Sequence, residues 1–378
     1  MFKSLNKKIA AGLTATALGF SLTTFPPAVV EALSINDAIG IGSVIYSASQ
    51  AKKQIKQQIA TLNDTEEGRT ALYQDFQTKC GVNEDPVINR RMDTIMANLT
   101  EAVAQIDPSI NDKPYKYFVS NDESLNAFCS LGHVMVVNIG AFNYLSTDDE
   151  IAAIVGHEMG HGQKNHVAKS NESNINKVAL HQIAAIGASS AIGGSELAQI
   201  AVNAAASVSL NQSVTHGSKK HETEADNLGW EYMLHTNYNI GACAAVMQRL
   251  YELSGGKSDK SLPERILNPS DHPGTDKRRD NYVKKLYEYS GKHATAENGV
   301  VTINGKTFMT VAAANGMSSA ERSYFVLGNL ARAYHNGEDK AEVTVYDGTI
   351  YLGNQTIVTP ADGDEDVYAL AERLSEIK

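Results

Sequence analysis

The chain has 378 residues, with 33 Lys+Arg against 43 Asp+Glu, a formal net charge of -10 and 42% hydrophobic residues. This composition excludes a disordered or collagenous chain and leaves room for two domains with cores that need no disulfide support. The acidic balance also argues against a nucleic-acid partner, whose binding rests chiefly on Lys and Arg at phosphates.

The N-terminus carries Lys3, Lys7 and Lys8 ahead of an apolar, uncharged stretch from Ile9 to Phe25, followed by Pro26, Pro27 and small or aliphatic residues around Val30-Glu31-Ala32. That is the layout of a secretory signal peptide, expected over residues 1–32, which implies a periplasmic or secreted protein. Cys80, Cys129 and Cys243 are too far apart for a thiolate metal site or a redox dithiol. At most one disulfide can form; three buried thiols is the simpler reading, and no pairing is singled out.

From Ile35 to about Leu99 the pattern predicts helices, broken near Gly81 to Pro86. Tyr115 to Val119 and His133 to Asn138 read as strands. Helix and loop are expected from Thr147 to about Tyr289. Within that region residues 177–206, rich in Ala, Ile, Gly and Ser, are interrupted by His181, Glu196 and Gln199, so they read as small-residue helices rather than an integral membrane span. After Gly291 the composition changes. Two hairpins turn at Asn304-Gly305 and Asp347-Gly348, each followed by a helix, the first opened by a Ser318/Glu321 capping box and the second running from Asp366 to Ile377. Residues 296–378 are therefore expected to form a small α+β domain of two hairpin-helix units, appended to a domain over residues 33–290.

The chemistry concentrates at His157-Glu158-Met159-Gly160-His161. On a helix the two histidines lie one turn apart on one face, so both imidazoles can hold one zinc ion, while Glu158 is placed to take a proton from a water activated there. A third ligand is needed. His166 misses the spacing of a three-histidine site by one residue and lies opposite His157 on an ideal helix, which makes it a helix-surface or supporting residue. In His221-Glu222-Thr223-Glu224-Ala225-Asp226, Glu222 and Asp226 share a face, so Glu222 can bind the ion while Asp226 hydrogen-bonds the far nitrogen of a ligand histidine. Glu224 is expected to point away and His221 lacks such a partner.

Four ordered segments resemble the HtpX-like and BepA-like zinc metallopeptidases, peptidase family forty-eight, over roughly residues 64 to 285. They are the His-Glu-x-x-His; Ser218 to Asp226, with Lys219 in place of the family's usual Arg; Asn126-Ala127-Phe128 followed by Gly132 to Val136; and Asp271-His272-Pro273 through Arg278. The resemblance implies a mainly α zincin-type metalloprotease domain with a small β-sheet edge over the cleft, and one Zn2+ per chain. It also implies that Asn126 to Val137 is a strand lining the cleft, to which an extended protein or peptide substrate adds through Asn126, Ala127 and Phe128. Arg278 is expected at the catalytic segment or a carboxylate and is counted with the substrate-binding residues, a surface charge being the alternative. His272 has three open roles: stabilising the oxyanion, capping the metal in a latent state, or a structural hydrogen bond. The function implied is an exported zinc endopeptidase in envelope protein quality control, with assembly factors as further partners. The alternative is a latent protease that acts mainly as a chaperone-like binding module.

Overall fold

The structure is a computed structural model that describes residues 49–50, 52–53, 56–173, 219–256 and 274–378. The expected signal peptide, the 177–206 stretch, and His272 with its Pro273 lie outside the described residues.

Residues 56–64 are helical and lead into α1 (Glu66–Cys80), whose N-cap Thr65 accepts from Gly68 N–H. α2 (Pro86–Ile106) starts where Asp85 accepts from the backbone of Val87 and Ile88 and Pro86 supplies a preset φ. A three-stranded sheet follows in the order β1 (Lys116–Ser120), β3 (Val134–Asn138), β2 (Ala127–Cys129); β1 runs parallel to the central β3 and β2 antiparallel. Every residue of β3 is buried, because Val134 and Val136 pack under α1 while Met135 and Val137 face the main core. Two buried faces explain its unbroken apolar run.

The expectation of one strand from Asn126 to Val137 is corrected here. Gly132 and His133 both adopt left-handed φ, 69° and 56°, and fold the segment into a hairpin with β2 at the sheet edge. After α3 (Ile139–Tyr144) comes α4 (Asp148–Gln163), opened by a complete Thr147/Glu150 capping box and carrying the two histidines. α5 (Lys219–Leu234), α6 (Ala242–Leu253) and α7 (Thr275–Tyr289) complete the N-terminal half.

Past residue 290 each expected hairpin proves to be a three-stranded antiparallel meander. The first is β4 (Ala294–Glu297), β5 (Val300–Ile303) and β6 (Lys306–Thr310), followed by α8 (Ser319–His335). The second is β7 (Val343–Tyr346), β8 (Thr349–Leu352) and β9 (Gln355–Val358), followed by α9 (Val367–Ile377). β4 escaped the sequence reading because Ala294–Glu297 carries no run of β-branched residues. The two units align without a gap, pairing Thr295 with Thr344, Gly299 with Gly348, Thr307 with Thr356, and Thr310 with Thr359. Even the irregularity repeats, between Val301/Thr302 and between Ile350/Tyr351. Their inward residues correspond as well: Val301, Ile303, Phe308 and Met309 against Ile350, Leu352, Ile357 and Val358, all buried.

α8 packs on α6 and α7 as well as on strands of both meanders, so one continuous core runs from Met92 to Ile377. The approach is close: a Cβ on Gly241 would collide with the carbonyl of Tyr324, and one on Gly328 with the backbone of Gly241. Asn239 donates to Phe325 O at 3.0 Å, and Arg332 reaches the carbonyls of Thr236 and Tyr238, each at 3.0 Å. The described residues are thus mostly helical, with three small sheets. None of their helices is long and apolar enough to cross a membrane.

Candidate metal centre

Small residues set the geometry of the site. Gly156 and Gly160 on α4 face Gly229 and Ala225 on α5; a Cβ on Gly229 would sit 2.9 Å from His157 N, and one on Gly160 3.0 Å from Ala225 O. Any larger residue would push the helices apart. Because they touch, the first turns of α5 lie directly against His157 and His161.

His157 Nε2 and His161 Nε2 are 3.2 Å apart, and the Glu222 carboxylate lies 3.5 Å from the former and 3.3 Å from the latter. All three side chains are buried. A tetrahedral ion bonded at about 2.0–2.1 Å holds its ligand atoms about 3.3–3.4 Å apart, so two nitrogens and a carboxylate at these separations fit one divalent ion. Among the described residues, this is the group of three whose ligand atoms come within 4.8 Å of one another.

Glu158 is buried beside them, and its Oε2 accepts from Cys129 N–H at 3.0 Å. That bond ties the carboxylate to the sheet edge. In β2, Asn126 O accepts from Asn138 N–H and Ser130 N–H donates to Val134 O, so the even-numbered residues pair with β3 and the main-chain groups of Ala127 and Cys129 face outward. Asn126 and Ala127 line a pocket with Glu158, His157, Ile154 and Met247. Phe128 does not join them: alternation along the strand sends its ring to the opposite face, edge-on to Phe76 at 5.2 Å.

Asp226 accepts from His157 Nδ1 at 3.0 Å and is gripped by Arg278 through Nε at 2.9 Å and Nη2 at 2.5 Å, with Tyr282 Oη donating at 2.9 Å. Burial alone would raise the Asp226 carboxyl, but Arg278 and His157 outweigh it and hold the group well below the usual carboxylate range. Burial and Arg278 likewise pull His157 down, yet its hydrogen bonds to Asp226 and Glu222 win and lift the imidazole to about 9 without a metal. Arg278 is buried where it lines the pocket, so its first role is this ion pair with the carboxylate rather than an exposed contact.

Of the two readings of His166, the structure bears out the supporting one, on the side of the helix that ideal geometry excludes. α4 ends at Gln163, Asn165 takes a left-handed φ of 52°, and helix resumes at His166, so ideal-helix geometry no longer applies across the break. The redirected chain brings His166 Nδ1 to 2.9 Å from His161 Nδ1, and His166 Nε2 to 3.2 Å from Glu224 Oε2. Glu224 does point away from Glu222, as expected, but toward this second histidine. The Lys164-Asn165 pair was the available signal, since Asn tolerates left-handed backbone at helix ends. The bond from Glu158 to Cys129 N–H left no signal in the residue types.

The model of peptidase family M48 matches residues 89–285, just over half of the chain. The chain belongs to peptidase family M48. It is 26% identical over 171 residues to the putative beta-barrel assembly-enhancing protease of Vibrio cholerae, covering 45% of this chain and 34% of that one. It is 23% identical over 160 residues to the beta-barrel assembly-enhancing protease of Escherichia coli, covering 42% and 32%. It is also 25% identical over 190 residues to the metalloprotease LoiP of E. coli, covering 50% and 69%. The chain thus spans about a third of the length of the assembly-enhancing proteases it matches.

Proposed function

We propose that this M48 member is an exported zinc-dependent endopeptidase that acts on proteins of the cell envelope. The observation that carries the reading is the donor set of His157, His161 and Glu222 at ligand spacing, with Glu158 buried beside it at the edge of an apolar pocket. Zinc held by these three side chains would supply Lewis acidity toward a scissile carbonyl and an attacking water. Glu158 accepts the proton of that water as its oxygen adds to the carbonyl carbon, and delivers the proton to the amine nitrogen as the C–N bond breaks. No covalent bond to the enzyme forms. Asp226, fixed by Arg278 and Tyr282, keeps the His157 proton on Nδ1 and its Nε2 lone pair toward the ion.

The outward main chain of Ala127 offers an extended substrate a strand to pair with, and the pocket beside it receives a side chain. Relatives named for beta-barrel assembly support an envelope setting and misassembled envelope proteins as substrates. His272 is assigned to this site by the family resemblance alone: greater activity in H272A marks a latency cap, and loss marks a catalytic role.

E158Q keeps the shape of the carboxylate and removes the base. The purified variant is expected to bind zinc like the wild-type protein and to digest casein at least about a hundredfold more slowly. Wild-type activity in E158Q would overturn the assignment.

A further inference from the structure

Each ligand histidine has a second ring nitrogen, and the two are supported differently. His157 Nδ1 meets Asp226 directly, 3.0 Å away. His161 Nδ1 meets another imidazole, His166 Nδ1, at 2.9 Å. A hydrogen bond between two imidazole nitrogens needs one proton, and the position of that proton fixes both tautomers. If His161 gives its Nε2 lone pair to a metal, its proton is on Nδ1 and it donates. His166 Nδ1 must then accept, which places the His166 proton on Nε2, 3.2 Å from Glu224 Oε2. The chain of donors runs one way, from His161 through His166 to Glu224, and ends on an acceptor.

The surroundings hold this chain in place. His166 is fully buried and its ring stacks on His221 at 4.2 Å, with 7° between the planes. Asn165, whose left-handed backbone turns His166 inward, is anchored by Asn63 Nδ2 at 3.2 Å, and Asn63 Oδ1 also accepts from Gly132 N–H at 2.9 Å. The same short stretch of α5 supplies the metal ligand Glu222 and, two and four residues on, the carboxylates Glu224 and Asp226.

We propose that His166 and Glu224 are positioning residues that hold His161 in the tautomer and orientation needed to bind the metal, as Asp226 does for His157. The proposal rests on reading the site as a metal centre. Supports of this kind are worth about 10–100-fold in metal affinity.

The test measures zinc release from the full chain into an excess of chelator, together with zinc affinity by competition; neither needs activity. In H166N the side-chain oxygen can take the place of Nδ1 and accept from His161. In H166Q the amide reaches the place of Nε2, toward Glu224, and offers His161 no acceptor at the place of Nδ1. H166F keeps the ring and its stack on His221 but no nitrogen. Expected are release at least about tenfold faster for H166F and H166Q, within about threefold of wild type for H166N, and intermediate for E224L, whose lost carboxylate is 40% exposed. A merely structural role would not separate H166N from H166Q. Equal release from those two, or wild-type retention by H166F, would overturn the relay. If the wild-type chain binds no zinc, the metal reading itself fails instead.

Discussion

The half that carries the candidate metal centre and the C-terminal repeat share one core but fill it differently. Between α4, α5 and α7 the interior holds His157, Glu158, His161, Glu222, Asp226 and Arg278, all buried. Where the two meanders pack on α8 and α9 it holds Val301, Ile303, Phe308 and Met309 and their counterparts Ile350, Leu352, Ile357 and Val358. Burying charge costs free energy unless every group is paired, whereas burying aliphatic surface stabilises directly. The site is thus built from the residues that contribute least to folding, and the repeat, joined through α8, adds apolar packing to the same unit.

The sharpest break in this contrast is Arg278. R278A would leave Asp226 as a buried carboxylate without its cation, a change worth about 3–5 kcal/mol. Chemical denaturation should show that loss, and R278M combined with D226N should recover much of it, since the double variant removes both charges. A cost for R278A near that of an ordinary surface substitution would mean that the polar cluster is not under electrostatic tension.

The repeat should respond to loss of volume instead. I303A and L352A remove equivalent, fully buried side chains, one from each meander, and each should cost about 2–5 kcal/mol. Because the core is continuous, each should lower a single transition seen alike by far-UV circular dichroism and by release of bound zinc. A C-terminal transition that leaves zinc bound would show two independent domains.

What the sequence disclosed divides along the same line. His157, His161, Glu222 and Asp226 were readable because helical spacing alone puts i and i+4 on one face. The turns at Asn304-Gly305 and Asp347-Gly348 were readable because left-handed backbone selects those residues. β4 was missed for lack of β-branched residues, and the hairpin at Gly132-His133 because nothing marks a left-handed histidine. His166 was placed on the wrong side because the helix was extrapolated past its end. Phe128 is expected at the substrate because family likeness identifies a segment without saying which face of the strand a given side chain meets, and for Arg278 it leaves open which carboxylate is the partner, which the structure shows to be Asp226.

A smaller effect separates the two halves by pH. His133 is buried, its Nδ1 donates to Lys113 O at 2.8 Å, and burial with the nearby Lys113 charge lowers its pKa from 6.5 to about 4. Between those values the unfolded chain binds a proton that the folded chain refuses, so stability is complete above about 6.5 and falls as pH drops toward 4. The contribution is at most on the order of 3 kcal/mol. Asn accepts the left-handed backbone and can donate to the same carbonyl, so H133N should flatten the stability profile between pH 4 and 6.5. An unchanged difference in stability between pH 7 and pH 4.5 would assign the acid lability elsewhere.

The mildest test uses the two capping boxes, one in each half. Thr147 starts α4 and Ser318 starts α8; each side chain accepts from the backbone N–H three residues on, and Glu150 or Glu321 reaches back in return. T147A and S318A should each cost about 1 kcal/mol by denaturation. Zinc affinity should not follow that loss in either variant. His157 lies well inside α4, and its position is fixed from the side by Gly229 and Asp226 of α5 rather than by the end of its own helix. Weaker zinc binding in T147A alone would mean that the metal ligands depend on how α4 begins, and that contact between the helices does not by itself set the site.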